Sequence, residues 1–268
     1  MMPAEENTMK ERFDFARQWI MEMGEFLREA VKQPFDFSAK TGHQDIVTAF
    51  DREVELYFRR RIGERFPGDC IVGEELDREA GESSVMWYID PIDGTTNFVN
   101  LRRHFAISVG CYRNGAAEFG FVYDVMAKDL YWAYAGEGAY KNDVQLGQTA
   151  PVTELSKMIL STPNVQDAFW RDYPWQGAML ELADRVRAVR SLGSVALELC
   201  AVAEGTVDLF AAMRSAPWDH NGARVILQEA GCRLWSLGQE ELPRDRELAI
   251  AACRSEEVFR LLKNRYGF

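Results

Sequence analysis

Apolar positions recur three or four residues apart over residues 5–33, at Phe13, Ala16, Ile20, Met23, Leu27 and Ala30. That spacing predicts one helix with a single apolar face, stopped by Pro34. A polar stretch, 35–44, reads as a loop. Asp45-Ile46-Val47-Thr48-Ala49-Phe50-Asp51 follows, and a second helix runs through Val54, Phe58 and Ile62 to Phe66, where Pro67-Gly68 ends it. Short apolar runs then replace the helical period. Residues 70–73 and 85–89 read as buried strands. Strands at 105–111, 118–125, 130–135 and 139–140 are separated by Arg113-Asn114-Gly115, Met126-Ala127-Lys128-Asp129 and Gly136-Glu137-Gly138. Those separators are hairpin signals and predict an antiparallel meander. Thr149-Ala150-Pro151 marks a junction between a first part, 1–150, and a second, 151–268. The second part alternates strands at 157–161, 188–192, 207–211, 233–236 and 248–253 with helices at 176–185, 195–203, 218–230 and 256–265. Gly205 and Gly231 close two of those helices, and Ser255 caps the last. The pattern predicts an α+β first part and an α/β second part.

Composition narrows the partners. The chain has 268 residues, 47% of them hydrophobic, enough for one large core or two modest ones. A net charge of −11 disfavours nonspecific binding to nucleic acid or anionic membrane. It leaves room for a phosphorylated substrate, because bound cations reverse the local sign. No apolar run approaches the length of a membrane span, and residues 1–10 lack the apolar core of a signal peptide. Cys70, Cys111, Cys200, Cys232 and Cys253 have no zinc spacing and read as reduced thiols of a cytoplasmic protein.

The candidate chemistry gathers where the strand at 85–89 ends, in Asp90-Pro91-Ile92-Asp93-Gly94-Thr95-Thr96-Asn97-Phe98. Pro91 removes a backbone donor and ends regular pairing. Gly94 permits a sharp turn, and Thr95, Thr96 and Asn97 are N-cap residues, so a helix or turn starts there. Two carboxylates followed by free amides suit a cation and a phosphate together. Read alone, the same residues also describe a solvated strand-to-turn connection. Glu74 ends the strand at 70–73, and Asp219 opens the helix at 218–230. With Asp90 and Asp93 they could form the incomplete oxygen cage that Mg²⁺ takes, joined by the Ile92 carbonyl. The alternatives are a solvated strand-end acid at Glu74 and a dipole-favoured acid at Asp219. Two residues between the acids of Asp90-Pro91-Ile92-Asp93, so far into the chain, argue against the Asp-x-Asp-x-Thr of haloacid dehalogenase phosphatases. His43, His104 and His220 form no triad pattern. His220 reads as an exposed or structural histidine, or as a neighbour of the metal acids.

The run from Asp90 to Phe98 resembles the signature of the inositol monophosphatase family, residue for residue. Gly73-Glu74-Glu75 resembles its Gly-Glu-Glu element. Pro217-Trp218-Asp219 with Glu229-Ala230-Gly231 resembles its C-terminal element. Asp45-Ile46-Val47-Thr48-Ala49-Phe50-Asp51, with Lys40 upstream, resembles its N-terminal one. The resemblance implies a layered αβαβα sandwich of the sugar-phosphatase type and usually a homodimer. It implies a Mg²⁺-dependent, lithium-sensitive phosphomonoesterase acting on inositol monophosphate or a related sugar phosphate by metal-activated water. Carried over residue by residue, Glu74, Asp90, the Ile92 carbonyl, Asp93 and Asp219 hold metal, with Glu75 at a third, weaker position. Glu74, Asp51 and Thr95 are the catalytic set, the last two polarising the water. Gly94 and Thr95 offer amides to the phosphate, beside Asp93, and Gly193, Ser194 and Val195 face the substrate's hydroxyl side.

Departures leave the substrate open. Many members carry a sugar-binding Glu seven residues before the Trp-Asp acid, where this chain has Ala212; Asn221-Gly222 and Cys232 also differ. Fructose-1,6-bisphosphatase and 3'(2'),5'-bisphosphate nucleotidase therefore stand as alternatives, and a catalytically silent metal-binding regulator as one of another class. Arg214, five residues before Asp219, either contacts a second anionic group on the substrate or pairs with a surface acid.

Overall fold

Helices α1 (Ala4–Ala30) and α2 (Ala49–Arg65) turn their apolar stripes onto one face of a seven-stranded sheet. The computed structural model describes residues 4–42, 45–76, 83–147 and 150–268; His43, Gln44 and Thr149 lie outside the described residues. Between α1 and α2, β1 (Phe37–Gly42) and β2 (Asp45–Thr48) pair antiparallel. The large sheet contains β3 (Cys70–Gly73), β4 (Val85–Asp93), β5 (Ala106–Arg113), β6 (Ala116–Asp124), β7 (Asp129–Tyr134), β8 (Gly138–Lys141) and β9 (Val144–Gln145), adjacent in that order. In this sheet β3 and β4 run parallel; β5 to β8 form the predicted antiparallel meander, which β4 and β9 extend at its two ends. The short α3 (Thr95–Asn100) follows β4.

The second sheet has the order β11-β10-β12-β14-β13, from β10 (Ile159–Ser161), β11 (Ala188–Arg190), β12 (Leu209–Ser215), β13 (Arg233–Ser236) and β14 (Leu248–Cys253). Its helices are α4 (Val165–Phe169), α5 (Gln176–Arg185), α6 (Val195–Glu204), α7 (Pro217–Glu229) and α8 (Glu256–Tyr266). Three apolar clusters define the layers. Trp87, Ile89, Phe119, Phe121 and Tyr123 face α1 and α2, while Tyr88 and Val122, on the opposite pleat, face α6 and α7. The far sides of α6 and α7 meet Phe210, Ile250 and Ala252 of the second sheet. That sheet's outer face packs on α4, α5 and α8 through Leu160, Met179, Leu182, Val258 and Leu262. The result is the αβαβα sandwich. Helix α6 is buried at every position from Val195 to Ala203, as a helix lying between two sheets must be.

Helix α7 sits unusually close to the large sheet. A Cβ on Gly120 would lie 2.2 Å from the Gly222 carbonyl oxygen, and one on Gly110 2.8 Å from the Asn221 carbonyl carbon. A Cβ on Gly222 would meet Ser108 Oγ at 2.6 Å. These three glycines let the helix that carries Asp219 in its first turn rest on the strands that follow Asp93, which is why Gly stands at 222. Gly120→Ala should force α7 off the sheet and lower stability by about 1–3 kcal/mol, read from the urea midpoint.

Several elements differ from the sequence reading. The stretch expected as a loop at 35–44 contains β1, because backbone pairing with β2 needs no apolar alternation and the exposed Phe37 buries little. Strand β4 continues through both acids to Asp93, and β12 runs on to Ser215. Helix α4, not foreseen, is five residues long and is set by Asn164, whose side chain accepts from the amides of Gln166 and Asp167. The two sheets fall on either side of residue 150, yet Tyr88 and Ala106 share one apolar cluster with Val195 and Ile250. Among the described residues no helix is long and apolar enough to cross a membrane.

Candidate active site

Strand β4 would place residues three apart on opposite faces if it were regular. The ladder to β5 pairs Asp90 with Ser108 and Asp93 with Ala106, so one extra residue is absorbed at Pro91-Ile92. Pro91, which has no N–H to give the ladder, sits in this bulge. The bulge turns Ile89 and Ile92 together toward α1 and α2, and leaves both Asp90 and Asp93 on the side of α6 and α7. Both acids are buried. Ile92 N donates to Asp90 Oδ1 at 3.0 Å.

Each remaining acid reaches this place from a different element. Glu74 leaves the end of β3, beside β4. The loop that carries it is braced by Glu55 of α2, fully buried, whose Oε2 accepts from Glu75 N at 2.7 Å. Arg59 bonds Glu55 Oε1 at 2.8 Å and the Leu76 carbonyl at 3.1 Å. A Cβ on Gly73 would fall 2.3 Å from that same Glu55 oxygen, so only glycine lets β3 lie over the carboxylate. Asp219 is the third residue of α7, and its Oδ2 accepts from Ala216 N at 2.7 Å. Asp51 lies in the first turn of α2, fully buried, with Oδ2 accepting from the Thr48 amide at 2.8 Å and hydroxyl at 2.6 Å. Thr95 Oγ1 is 3.1 Å from the Ile92 carbonyl and 3.4 Å from Asp51 Oδ1.

Helix α6 closes the site. Asp93 Oδ2 accepts from Ser194 Oγ at 2.5 Å and Ala196 N at 2.6 Å, and Oδ1 from Val195 N at 3.2 Å. Ser194 and Val195, both buried, thus meet the acid cluster directly, while the Gly193 amide turns to Glu198. Gly94, at φ +89°, brings the central motif against this turn: a Cβ there would lie 3.0 Å from the Gly193 carbonyl oxygen.

The electrostatics follow from crowding. Burial raises Asp90 well above the usual carboxylate range, and the charges of Glu74, Asp93 and Asp219 raise it further. Burial also raises Asp219 well above that range, helped by Asp93 and Glu74. Burial pushes Asp93 up to about 6 against the opposing hydrogen bonds from Ser194, Ala196 and Val195. No three His, Cys, Asp or Glu side chains among the described residues are grouped closely enough to hold one ion between them. Three of the acids are instead turned onto backbone or hydroxyl donors, Asp90 onto Ile92, Asp93 onto α6 and Asp219 onto Ala216. The donor set is nonetheless all oxygen, with Asp90 and Asp93 buried and both Asp90 and Asp219 raised by neighbouring carboxylates, and the main influences on Asp90 include no cation. That chemistry fits a hard divalent ion.

Other sequence candidates fall elsewhere. Arg214 Nε and Nη2 bond Glu247 at 3.0 and 2.9 Å, and both side chains are half exposed. The surface-acid alternative is therefore the one the structure contains. Such a pair is worth little, so Arg214→Ala should change stability by less than about 1 kcal/mol, measured by urea unfolding. Ala212 is buried in the core. His220 is fully buried, its Nδ1 2.9 Å from Ser215 Oγ, and burial lowers it to about 3, so it is a neutral structural histidine. Sequence reasoning missed two buried acids, Glu55 and Glu198. Each had a signal: Glu55 stands beside Val54 on the apolar stripe of α2, and Glu198 is the one charged residue within the apolar run of α6. Burial pushes Glu198 up to about 7 against hydrogen bonds from Ser161, Leu192 and Gly193.

The chain is similar to known proteins over most of its length. A model of the Inositol monophosphatase family matches residues 8–264. Inositol-1-monophosphatase of Bacillus subtilis (strain 168) is 40% identical over 225 residues, which cover 81% of this chain and 82% of that protein. The inositol monophosphate-bound structure of SaIMPase-II superposes with a TM-score of 0.82 at 31% identity, over 96% of this chain and 93% of that one. An IMPase/NADP phosphatase complexed with Mg²⁺ and phosphate superposes with a TM-score of 0.86 at 21% identity, over 96% and 95% of the two chains, a likeness of fold.

Proposed function

The chain belongs to the inositol monophosphatase family and is a phosphatase of that type, and we propose that it hydrolyses inositol monophosphate or a related sugar phosphate with Mg²⁺. The observation that carries this is the cluster of Glu74, Asp90, Asp93 and Asp219, with Asp90 and Asp93 buried and neighbouring charges of the cluster raising the proton affinity of Asp90 and of Asp219. The Mg²⁺ in the relative's phosphate complex supports the same choice of ion. Those four carboxylates and the Ile92 carbonyl would hold the metal, with Glu75 at a weaker position. When bound, Mg²⁺ neutralises charge on phosphoryl oxygens and acidifies water.

The chain's own groups do the rest. Gly94 and Thr95 offer amides to the phosphate. Asp51, fixed by Thr48, draws on the Thr95 hydroxyl, and this pair takes the proton that the attacking water loses. Glu74 completes the catalytic set. No side-chain nucleophile is used, so rapid quenching should trap no phosphorylated Asp90 or Asp93. Gly193, Ser194 and Val195, beside Asp93, meet the substrate's hydroxyl side. Arg214 lines the substrate only by exchanging Glu247 for an anionic group on it. A homodimer fits the exposed Phe37, Leu101 and Trp170 around one groove of about 700 Å³, and five free cysteines fit a cytoplasmic location.

The test is phosphate release from inositol 1-phosphate, fructose 1,6-bisphosphate and 3'-phosphoadenosine 5'-phosphate. The reading expects the highest kcat/KM on the first. Turnover confined to the nucleotide would overturn it in favour of the nucleotidase.

A further inference from the structure

Residues 192–197 carry the chain into α6, and their amides are taken up nearly in sequence. Val195 and Ala196 donate to Asp93, and Leu197 donates to Ser194 Oγ at 3.3 Å. Leu192 and Gly193, which precede Ser194, donate to a single oxygen, Glu198 Oε1, at 2.7 and 3.0 Å. Glu198 Oε2 accepts from Ser161 Oγ at 2.6 Å, and the whole side chain is shielded from solvent. From the other side, Asn97 Nδ2 donates to the Leu192 carbonyl at 2.6 Å and to the His104 carbonyl at 2.8 Å. Gly193 itself holds φ at +78°, a conformation that needs support from its neighbours. The strap Leu192-Gly193 is therefore pinned from α6 by Glu198 and from the central motif by Asn97.

We infer that Glu198 is a positioning residue that sets how the enzyme grips the hydroxyl-bearing part of its substrate. The inference rests on the proposed placement of Gly193, Ser194 and Val195 against the substrate's hydroxyls. Glu198 touches the strap and not Gly94 or Thr95, which that reading gives to the phosphate. Its action needs an oxygen in the right place, not a charge. Oε1 keeps both amides in either protonation state, while Ser161, a hydroxyl, can donate to an ionised Oε2 or accept from a protonated one. A glutamine reproduces the arrangement. An alanine leaves two amides in a shielded place without an acceptor, and the strap must move to satisfy them.

The test measures kcat and KM at saturating Mg²⁺ on inositol 1-phosphate and on phenyl phosphate, which has no hydroxyls. Glu198→Ala should lose roughly ten- to a hundredfold in kcat/KM on inositol 1-phosphate, mainly through KM, because misplaced contacts cost that much. Phenyl phosphate should stay within about threefold, and Glu198→Gln should resemble wild type on both. Equal loss on the two substrates, or none on either, would overturn the inference in favour of plain structural support. Glu198→Gln as impaired as Glu198→Ala would also overturn it, since the carboxylate would then act by its charge on nearby Asp93. Should Glu198→Ala not fold, Asn97→Ala removes the opposite pin and is held to the same selective loss. Absence of wild-type turnover on inositol 1-phosphate overturns the functional reading and this inference together; wild-type turnover with unselective variants overturns the inference alone.

Discussion

Asp219→Asn is expected to lower kcat by roughly a hundredfold or more while making the metal-free protein harder to unfold. The two effects come from one cause. Asp219 is partly buried, and its desolvation together with the charges of Asp93 and Glu74 raises its proton affinity well above that of an ordinary carboxylate. At neutral pH its charge is therefore a cost to the folded chain and, in the proposed function, an asset to the bound ion. Asparagine removes both. Its carbonyl oxygen can still accept from Ala216 N, so the first turn of α7 keeps its cap. Asp93→Asn should act the same way, with its carbonyl oxygen still accepting from α6. Urea unfolding in chelator and turnover in excess Mg²⁺ check the two halves. Normal turnover at saturating Mg²⁺ would remove these residues from the metal site.

The second large effect is of pH and metal on stability. Asp93 is raised from 3.8 to about 6 and Glu198 from 4.5 to about 7. A carboxyl raised on folding holds its proton longer in the native state than in the unfolded chain. Its contribution is fully present below the unfolded value and is lost as pH climbs through the folded one. The metal-free protein should therefore lose stability steadily between about pH 4 and pH 7, with Asp90 and Asp219 adding in the same direction. Mg²⁺ binds the native state alone and favours the ionised carboxylates, so it should raise Tm more at pH 8 than at pH 5. Thermal scans at both pH values, with and without Mg²⁺, give the comparison. A metal-free Tm that rises from pH 5 to pH 8, or an equal Mg²⁺ gain at both, would contradict the charge balance drawn here.

Much of the site was legible before any coordinates, because its residues are tied to local signals. Glu74 at a strand end, Asp90 and Asp93 around a proline, and Asp219 in the first turn of a helix are positions that periodicity and turn residues mark. What could not be read was how they meet. Asp90 and Asp93 share a side only because the ladder slips at Pro91-Ile92, a register event between two strands. The nearness of Asp219 depends on Gly110, Gly120 and Gly222 fitting α7 to the sheet across more than a hundred residues of chain. Glu55 and Glu198 were hidden for the same reason: their partners, Glu75 N, Leu192 N and Gly193 N, are backbone atoms that only tertiary folding brings to them. Arg214 shows the converse. Its place near Asp219 was readable, but its partner Glu247 arrives from just before β14, whose first residue, Leu248, pairs with Ser215.

The central claim is that Glu74, Asp90, Asp93 and Asp219 serve a divalent ion in phosphate-ester hydrolysis. Phosphate release from inositol 1-phosphate tests it most directly, measured on protein stripped with chelator and again after Mg²⁺ is restored. The account predicts no turnover above background in chelator and full recovery with Mg²⁺. Undiminished phosphate release from the stripped protein would contradict it.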